Sequence, residues 1–316
     1  MPAALPFPRR ISVELTNHCN QRCTFCPRQE LTRPLGFLPR ALFERVARDC
    51  AGHDTMLWLH FLGEPLLHPE VADFVRLARR AGVRRIGLST NAVSLAGARA
   101  EALLDAGLDR LECSMDALDR AGYRAMRGRD HFSRVVRNVR GFLALRRARG
   151  LDRPIVPIQF LRTPEVEARL AEIVAAWSDE LGPEDFVMTI RPASFGGAVA
   201  AAAPAASGGA RPPCPWLFES LMVLQDGTVT MCGADWDARA PLGHLRDASL
   251  AEIWQGEEMR RRRAAHLAGR FAEVAPCAAC EDWRLADGSG YANAGDELAA
   301  RGASAGAEGD RHAQAG

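Results

Sequence analysis

With 40 basic against 39 acidic side chains over 316 residues, the chain has a net charge of +1 and no electrostatic footprint for nucleic acid. Every basic residue is arginine, which excludes a Schiff-base lysine, a pyridoxal-phosphate anchor and a P-loop lysine together. No apolar run reaches the ~20 residues of a membrane span and Met1–Pro8 is unlike a signal peptide, so a cytoplasmic protein is expected, its nine cysteines reduced and available for metal or catalysis.

Short apolar runs alternate with helical spacing through the first two-thirds of the chain. Ile11–Leu15, Met56–Leu62, Arg85–Ser89, Arg110–Ser114, Ile155–Leu161 and Phe186–Arg191 read as strands. Between them, helical spacing recurs at Val71, Phe74, Val75 and Ala78, and at Val135, Val139, Phe142 and Leu143. Strands separated by helices imply right-handed crossovers and an α/β fold around a parallel sheet, with ligands at the carboxyl ends of the strands. Residues 198–213 are rich in Ala, Gly and Pro and read as a linker. Leu221–Leu224 and Thr228–Met231, joined through Asp226-Gly227, read as a hairpin with a tight type I′ turn. A single helix is expected from about Leu250 to Leu267, and the Ala/Gly-rich residues 286–316 read as a disordered tail. The expected organisation is a first domain at 1–197, the linker, a second domain at 214–285, and the tail.

Two cysteine sets carry the chemistry. Cys19, Cys23 and Cys26 form C-x3-C-x2-C just past the first strand, where a barrel enzyme places its site. Three thiolates can hold three irons of a [4Fe–4S] cluster and leave the fourth open to a ligand. A zinc knuckle needs a fourth donor, and His18, adjacent to Cys19, is badly placed to close a tetrahedron. Cys214, Cys232, Cys277 and Cys280 form the second set, whose four thiolates suit either a second [4Fe–4S] cluster or a structural zinc.

The first motif, with Phe25 before its last cysteine, resembles that of radical S-adenosylmethionine (SAM) enzymes. Leu62-Gly63-Glu64-Pro65 resembles the family's Gly-Gly-Glu-Pro turn, with Leu62 in place of the first glycine. Ser89-Thr90-Asn91 and Ser114-Met115-Asp116 resemble the elements after its third and fourth strands. The resemblance implies a partial (β/α)6 TIM-like barrel, SAM chelated at the open iron, and cofactor contacts from Gly63, Glu64, Ser89, Asn91, Ser114 and Asp116. It also implies a flavodoxin or ferredoxin electron donor. Gly227-x4-Cys232, Leu242-Gly243-His244-Leu245, Ile253-Trp254 and the closing Cys-x2-Cys resemble the family's auxiliary-cluster extension in its short, four-cysteine "twitch" form, a small hairpin-and-helix domain holding one auxiliary [4Fe–4S] cluster.

The cysteine spacing and His60-Phe61-x-Gly63-Glu64-Pro65 are most similar to aminocyclitol and aminoglycoside alcohol dehydrogenases of the butirosin type. The implied reaction oxidises a secondary alcohol to a ketone on an antibiotic intermediate of spectinomycin or hygromycin type, the auxiliary cluster taking the second electron. Arg191, closing the sixth strand, is the candidate to orient the hydroxyl and favour its alkoxide. His60 is a candidate base, or a core histidine. Glu14 alternates into the barrel and is expected to meet a substrate amine; Asp235, near Cys232, either binds an ammonium or caps a turn. Cys50 reads as helix packing, and Cys113 is out of phase with Ser114 and faces away from the cavity. An epimerase, which needs a thiol hydrogen donor, and a peptide maturase are the competing activities.

Overall fold

The computed structural model describes residues 5–199, 211–285 and 291–300. Most of the predicted linker and tail therefore lies outside the described residues. Strands β1 (Arg10–Val13), β2 (Met56–Trp58), β3 (Arg85–Thr90), β4 (Arg110–Ser114), β5 (Pro157–Leu161) and β6 (Phe186–Ile190) pair in parallel in chain order. The fold is the expected partial barrel, not closed by hydrogen bonds between β1 and β6. Side-chain alternation divides it. Ile11, Val13, Leu57, Ile86, Leu88, Leu111, Cys113, Ile158 and Phe160 are buried outward in the hydrophobic core, where the helix Val71–Ala81 inserts Phe74 and Val75 and the helix Phe132–Ala148 inserts Val139 and Phe142. The alternate residues face a central cavity, described below.

Three local expectations are corrected. The second strand stops at Trp58, short of Leu62, because the chain leaves the sheet to build the turn at Gly63. The hairpin β7 (Ser220–Val223) and β8 (Thr228–Thr230) does not turn through type I′, which needs two left-handed residues: in the turn only Gly227 has positive φ, at 96°. The helix predicted at Leu250–Leu267 is two, Leu250–Trp254 and Glu257–Leu267, broken at Gln255-Gly256; the first opens on a reciprocal Ser249–Glu252 cap.

The hairpin does not form a separate layer. β7 pairs in parallel with the free edge of β1, β8 follows antiparallel, and β9 (Gly243–His244) follows β8. At the other edge, β10 (Tyr291–Asn293) adds antiparallel to β6 and residues 294–300 are helical. This part of the predicted disordered tail is thus structured. Its composition hid it, because it needs only three backbone pairings with an otherwise free strand edge and one fully buried side chain, Ala294.

Candidate active site

The first cysteine loop leaves the carboxyl end of β1 and is clamped from two sides. Arg22 and Thr24 donate their backbone N–H groups to the carbonyls of Arg127 (3.0 Å) and Met126 (2.9 Å), at the end of the helix Arg120–Arg127. On the other side Gly63, at φ 84°, presses its α-carbon against the chain leaving β1. A β-carbon there would lie 2.2 Å from the Thr16 carbonyl oxygen, so only glycine fits. Glu64 then donates its N–H to the His18 carbonyl at 2.8 Å.

Glu64 is buried and its carboxylate is fully engaged. Thr90 Oγ1 donates to Oε1 at 2.6 Å, the Leu66 N–H to Oε1 at 3.0 Å, and the Asn91 N–H to Oε2 at 2.8 Å. Burial raises its pKa and these donors oppose the rise. The Asn91 side chain reaches Asn20 Oδ1 at 2.6 Å and Cys19 Sγ at 3.9 Å, linking this network to the cysteine loop. Gly63, Glu64, Ser89, Asn91, Ser114 and Asp116 all line the cavity that the three cysteines face. The Asp116 carboxylate accepts the Leu161 N–H at 2.7 Å and pairs with Arg127. Arg127 in turn donates to Cys23 Sγ at 3.7 Å and lies over the Phe25 ring at 5.4 Å. Asp116 thus also holds Arg127, and Arg127, the last residue of its eight-residue helix and without a motif of its own, is a contact that sequence reasoning missed.

The second set converges on the same cavity. Cys214, Cys232, Cys277 and Cys280 all line it, beside Gly233 and Ala234. Burial pushes the Cys214 thiol up to about 12 and Cys277 up to about 11. Cys232 is raised well above its ordinary value by burial and then by the charges of the other three cysteines. In the first set burial drives Cys19 to about 12 and Cys26 to about 11, with the Cys23 charge adding to both. Grouped, desolvated thiols ionise only against a compensating metal charge. An all-sulfur donor set of three and four suits iron–sulfur clusters: Cys19, Cys23 and Cys26 would hold one, and Cys214, Cys232, Cys277 and Cys280 the other.

The predicted substrate residues divide. Arg191 follows β6, lines the cavity, and among the described residues has no ion-pair partner. His60 lines the cavity edge-on to Trp58 with its Nδ1 buried and unpartnered. Burial, then the Arg10 charge, lowers its pKa to about 4, so the ring is neutral at pH 7. Glu14 is not in the cavity. β1 ends at Val13, and the following residue turns its carboxylate to Arg33, which donates at 2.6 and 2.8 Å, while the Gln225 N–H donates at 3.3 Å. Asp235 is likewise corrected to a turn cap: it is 2% exposed and accepts the N–H groups of Arg239 (2.8 Å) and Ala240. Both were chosen by sequence position, and in each case local hydrogen bonding outcompetes the cavity. Cys113 and Cys50 are fully buried in the core. Strand alternation does bring in three side chains the sequence reading passed over, Arg10, Arg110 and Glu112.

Residues 13–152 match the radical SAM superfamily, and residues 214–281 match the SPASM iron–sulfur cluster-binding domain. A GTP 3′,8-cyclase of Chlorobaculum tepidum is 31% identical over 135 residues, 42% of this chain and 41% of that protein. The chain thus matches less than half of that relative's length. The structure of BtrN in complex with AdoMet and 2-DOIA superposes with a TM-score of 0.58 at 17% identity, covering 87% of this chain and 93% of BtrN. Streptococcus suis SuiB, bound to precursor peptide SuiA, gives 0.67 at 13% identity, covering 89% and 71%. At these identities the likeness is one of fold. This chain carries a radical SAM domain followed by an SPASM domain, with a [4Fe–4S] cluster, SAM and auxiliary iron–sulfur as its cofactors.

Proposed function

We propose that the protein is a radical SAM oxidoreductase that converts a secondary alcohol of a polyhydroxylated small molecule to a ketone. The observation that carries this reading is a single cavity of about 850 Å³ lined by all seven cysteines of the two sets and by neither of the remaining two. When bound, the SAM-liganded cluster supplies a carbon-centred oxidant, and the auxiliary cluster supplies an electron acceptor. A substrate in the cavity thus meets both functions and no spare thiol, which favours oxidation over epimerisation.

Arg191 supports the reading with a guanidinium free to donate to the hydroxyl oxygen and to favour its deprotonated form. Neutral His60 offers an acceptor nitrogen for the hydroxyl proton. An aminocyclitol or aminoglycoside intermediate is the substrate class that the sequence resemblance implies. Its hydroxyl chemistry suits this cavity, but the two carboxylates expected for its amine, Glu14 and Asp235, are engaged elsewhere. A flavodoxin or ferredoxin is the proposed electron donor.

The test is anaerobic incubation of the reconstituted protein with SAM, a reductant and a panel of aminocyclitols, other cyclic polyols, GTP and short peptides. Deoxyadenosine formed one-for-one with a product two hydrogens lighter supports the reading. A product of unchanged mass makes the enzyme an epimerase. Turnover of GTP or of a peptide alone overturns the substrate class.

A further inference from the structure

The cavity does not stop at the carboxyl ends of the strands. Arg10, Arg110 and Phe186 are the first residues of β1, β4 and β6, and all three line it. At about 3.3 Å per residue, the four residues of β1 put this inner end roughly 13 Å below the cysteine loop. The residues expected to contact the cofactors lie at the carboxyl ends of the strands, at the other end of the cavity.

We propose that this inner end is an anchoring site for an oxyanion of the substrate, a carboxylate or a phosphate, held by Arg10. The proposal rests on the reading of the cavity as the substrate chamber. The Arg10 guanidinium lies over the Trp216 ring at 5.2 Å, and among the described residues no carboxylate forms an ion pair with it. Its polar neighbours are His60, which is neutral, and the Arg110–Glu112 pair, in which Arg110 Nε donates to Glu112 Oε1 at 2.9 Å. Among the described residues the one acid lining this end is thus matched by an arginine of its own, and the pair contributes no net charge. Arg10 is left as an uncompensated cation in a chamber walled by Trp58, Trp216 and Phe186. A half-buried guanidinium against aromatic walls is a ready partner for an anion, and its fork of donors fits the paired oxygens of carboxylate or phosphate. The Tyr291 hydroxyl, which β10 brings to the same lining, is a further polar group for the ligand's remaining oxygens. An ammonium in this position would face two guanidinium groups. The anchor therefore selects acidic or phosphorylated polyols over free amines.

Titration calorimetry on the SAM-loaded protein with inorganic phosphate, acetate and methylammonium as probes tests the site. Phosphate or acetate should bind and methylammonium should not; which of the two anions binds tighter names the group. Arg10→Gln should weaken anion binding at least about tenfold, the scale of one charge-assisted contact, whereas Arg10→Lys keeps the charge and should lose about threefold. Thermal melts of both variants establish that they are folded. Equal anion affinity in wild type and a folded R10Q, absence of anion binding to the wild type, or preferential binding of methylammonium would each overturn the anchor. Formation of deoxyadenosine by the wild type, measured alongside, separates the two readings: protein that cleaves SAM but binds no anion loses the anchor alone, and protein that never cleaves SAM loses the proposed function.

Discussion

Gly63 shows how a single residue sets the site. Its φ of 84° and the Thr16 carbonyl 2.2 Å from where a β-carbon would sit act together. In Gly63→Ala the left-handed conformation costs roughly 1–2 kcal/mol and relief of the overlap costs more, so a destabilisation of about 2–4 kcal/mol is expected in urea unfolding. The turn should also pull Glu64 from Thr90 and Asn91, so SAM affinity, measured by equilibrium dialysis, should fall with it. A variant of wild-type stability and SAM affinity would show that the close approach is not needed. His60 makes a second prediction. Its folded-state pKa of about 4 lies below the ordinary 6.5, so the unfolded chain takes up the proton first. The stability it contributes is present above pH 6.5 and is lost as the pH falls towards 4, by up to about 3 kcal/mol. His68, His131 and His266 are lowered too, so both proteins should weaken in acid. The informative quantity is the difference: between about pH 7.5 and 4.5, wild type should lose more unfolding free energy than His60→Gln. Parallel profiles would refute the assignment. Residues bound to a motif, such as Glu64 and Asn91, could be placed at the cavity from the sequence. The places of Glu14 and Asp235 could not be read, because nothing local announces that Arg33 or the backbone of Arg239 and Ala240 will claim them.

At the scale of elements, hydrophobic alternation located the six parallel strands because both faces of each are committed, one to the helices and one to the cavity. Where that commitment is weak the pattern fails. Gly256 interrupts a stretch whose spacing reads as continuous helix, and β10 carries too little apolar surface to register at all. Yet β10 occupies the open edge of β6, is followed by the buried Ala294, and is tied down by the ion pair of Glu297 with Arg162. Ending the chain at residue 290 removes these contacts and should cost about 2 kcal/mol, a fall in melting temperature of about 3 °C. A structureless tail would leave the melting temperature unchanged, so the shortened chain decides between the two.

For the molecule as a whole, the decisive feature is that the second domain completes the first. β7 extends the barrel sheet from β1, and Asp237 accepts the Thr32 N–H at 2.9 Å and its hydroxyl at 2.7 Å, fixing the segment that supplies Arg33 to Glu14. Sequence spacing identified both cysteine sets but not that they share one chamber, since β7 joins β1 across more than two hundred residues of chain. Sharing a chamber divides labour in a way that one substitution can expose. Cys232, whose thiol is raised by the charges of Cys214, Cys277 and Cys280, belongs only to the second set. In Cys232→Ala, iron should fall from about eight to about four per chain, the content of one [4Fe–4S] cluster. Deoxyadenosine should still form, because Cys19, Cys23, Cys26 and the Glu64 network are untouched, but the two-electron product should be lost. Persistent SAM cleavage shows that the barrel remains intact, so the loss of product cannot be attributed to unfolding. If ketone continues to form from the four-iron protein, the second electron leaves by another route and the shared chamber is a structural arrangement alone.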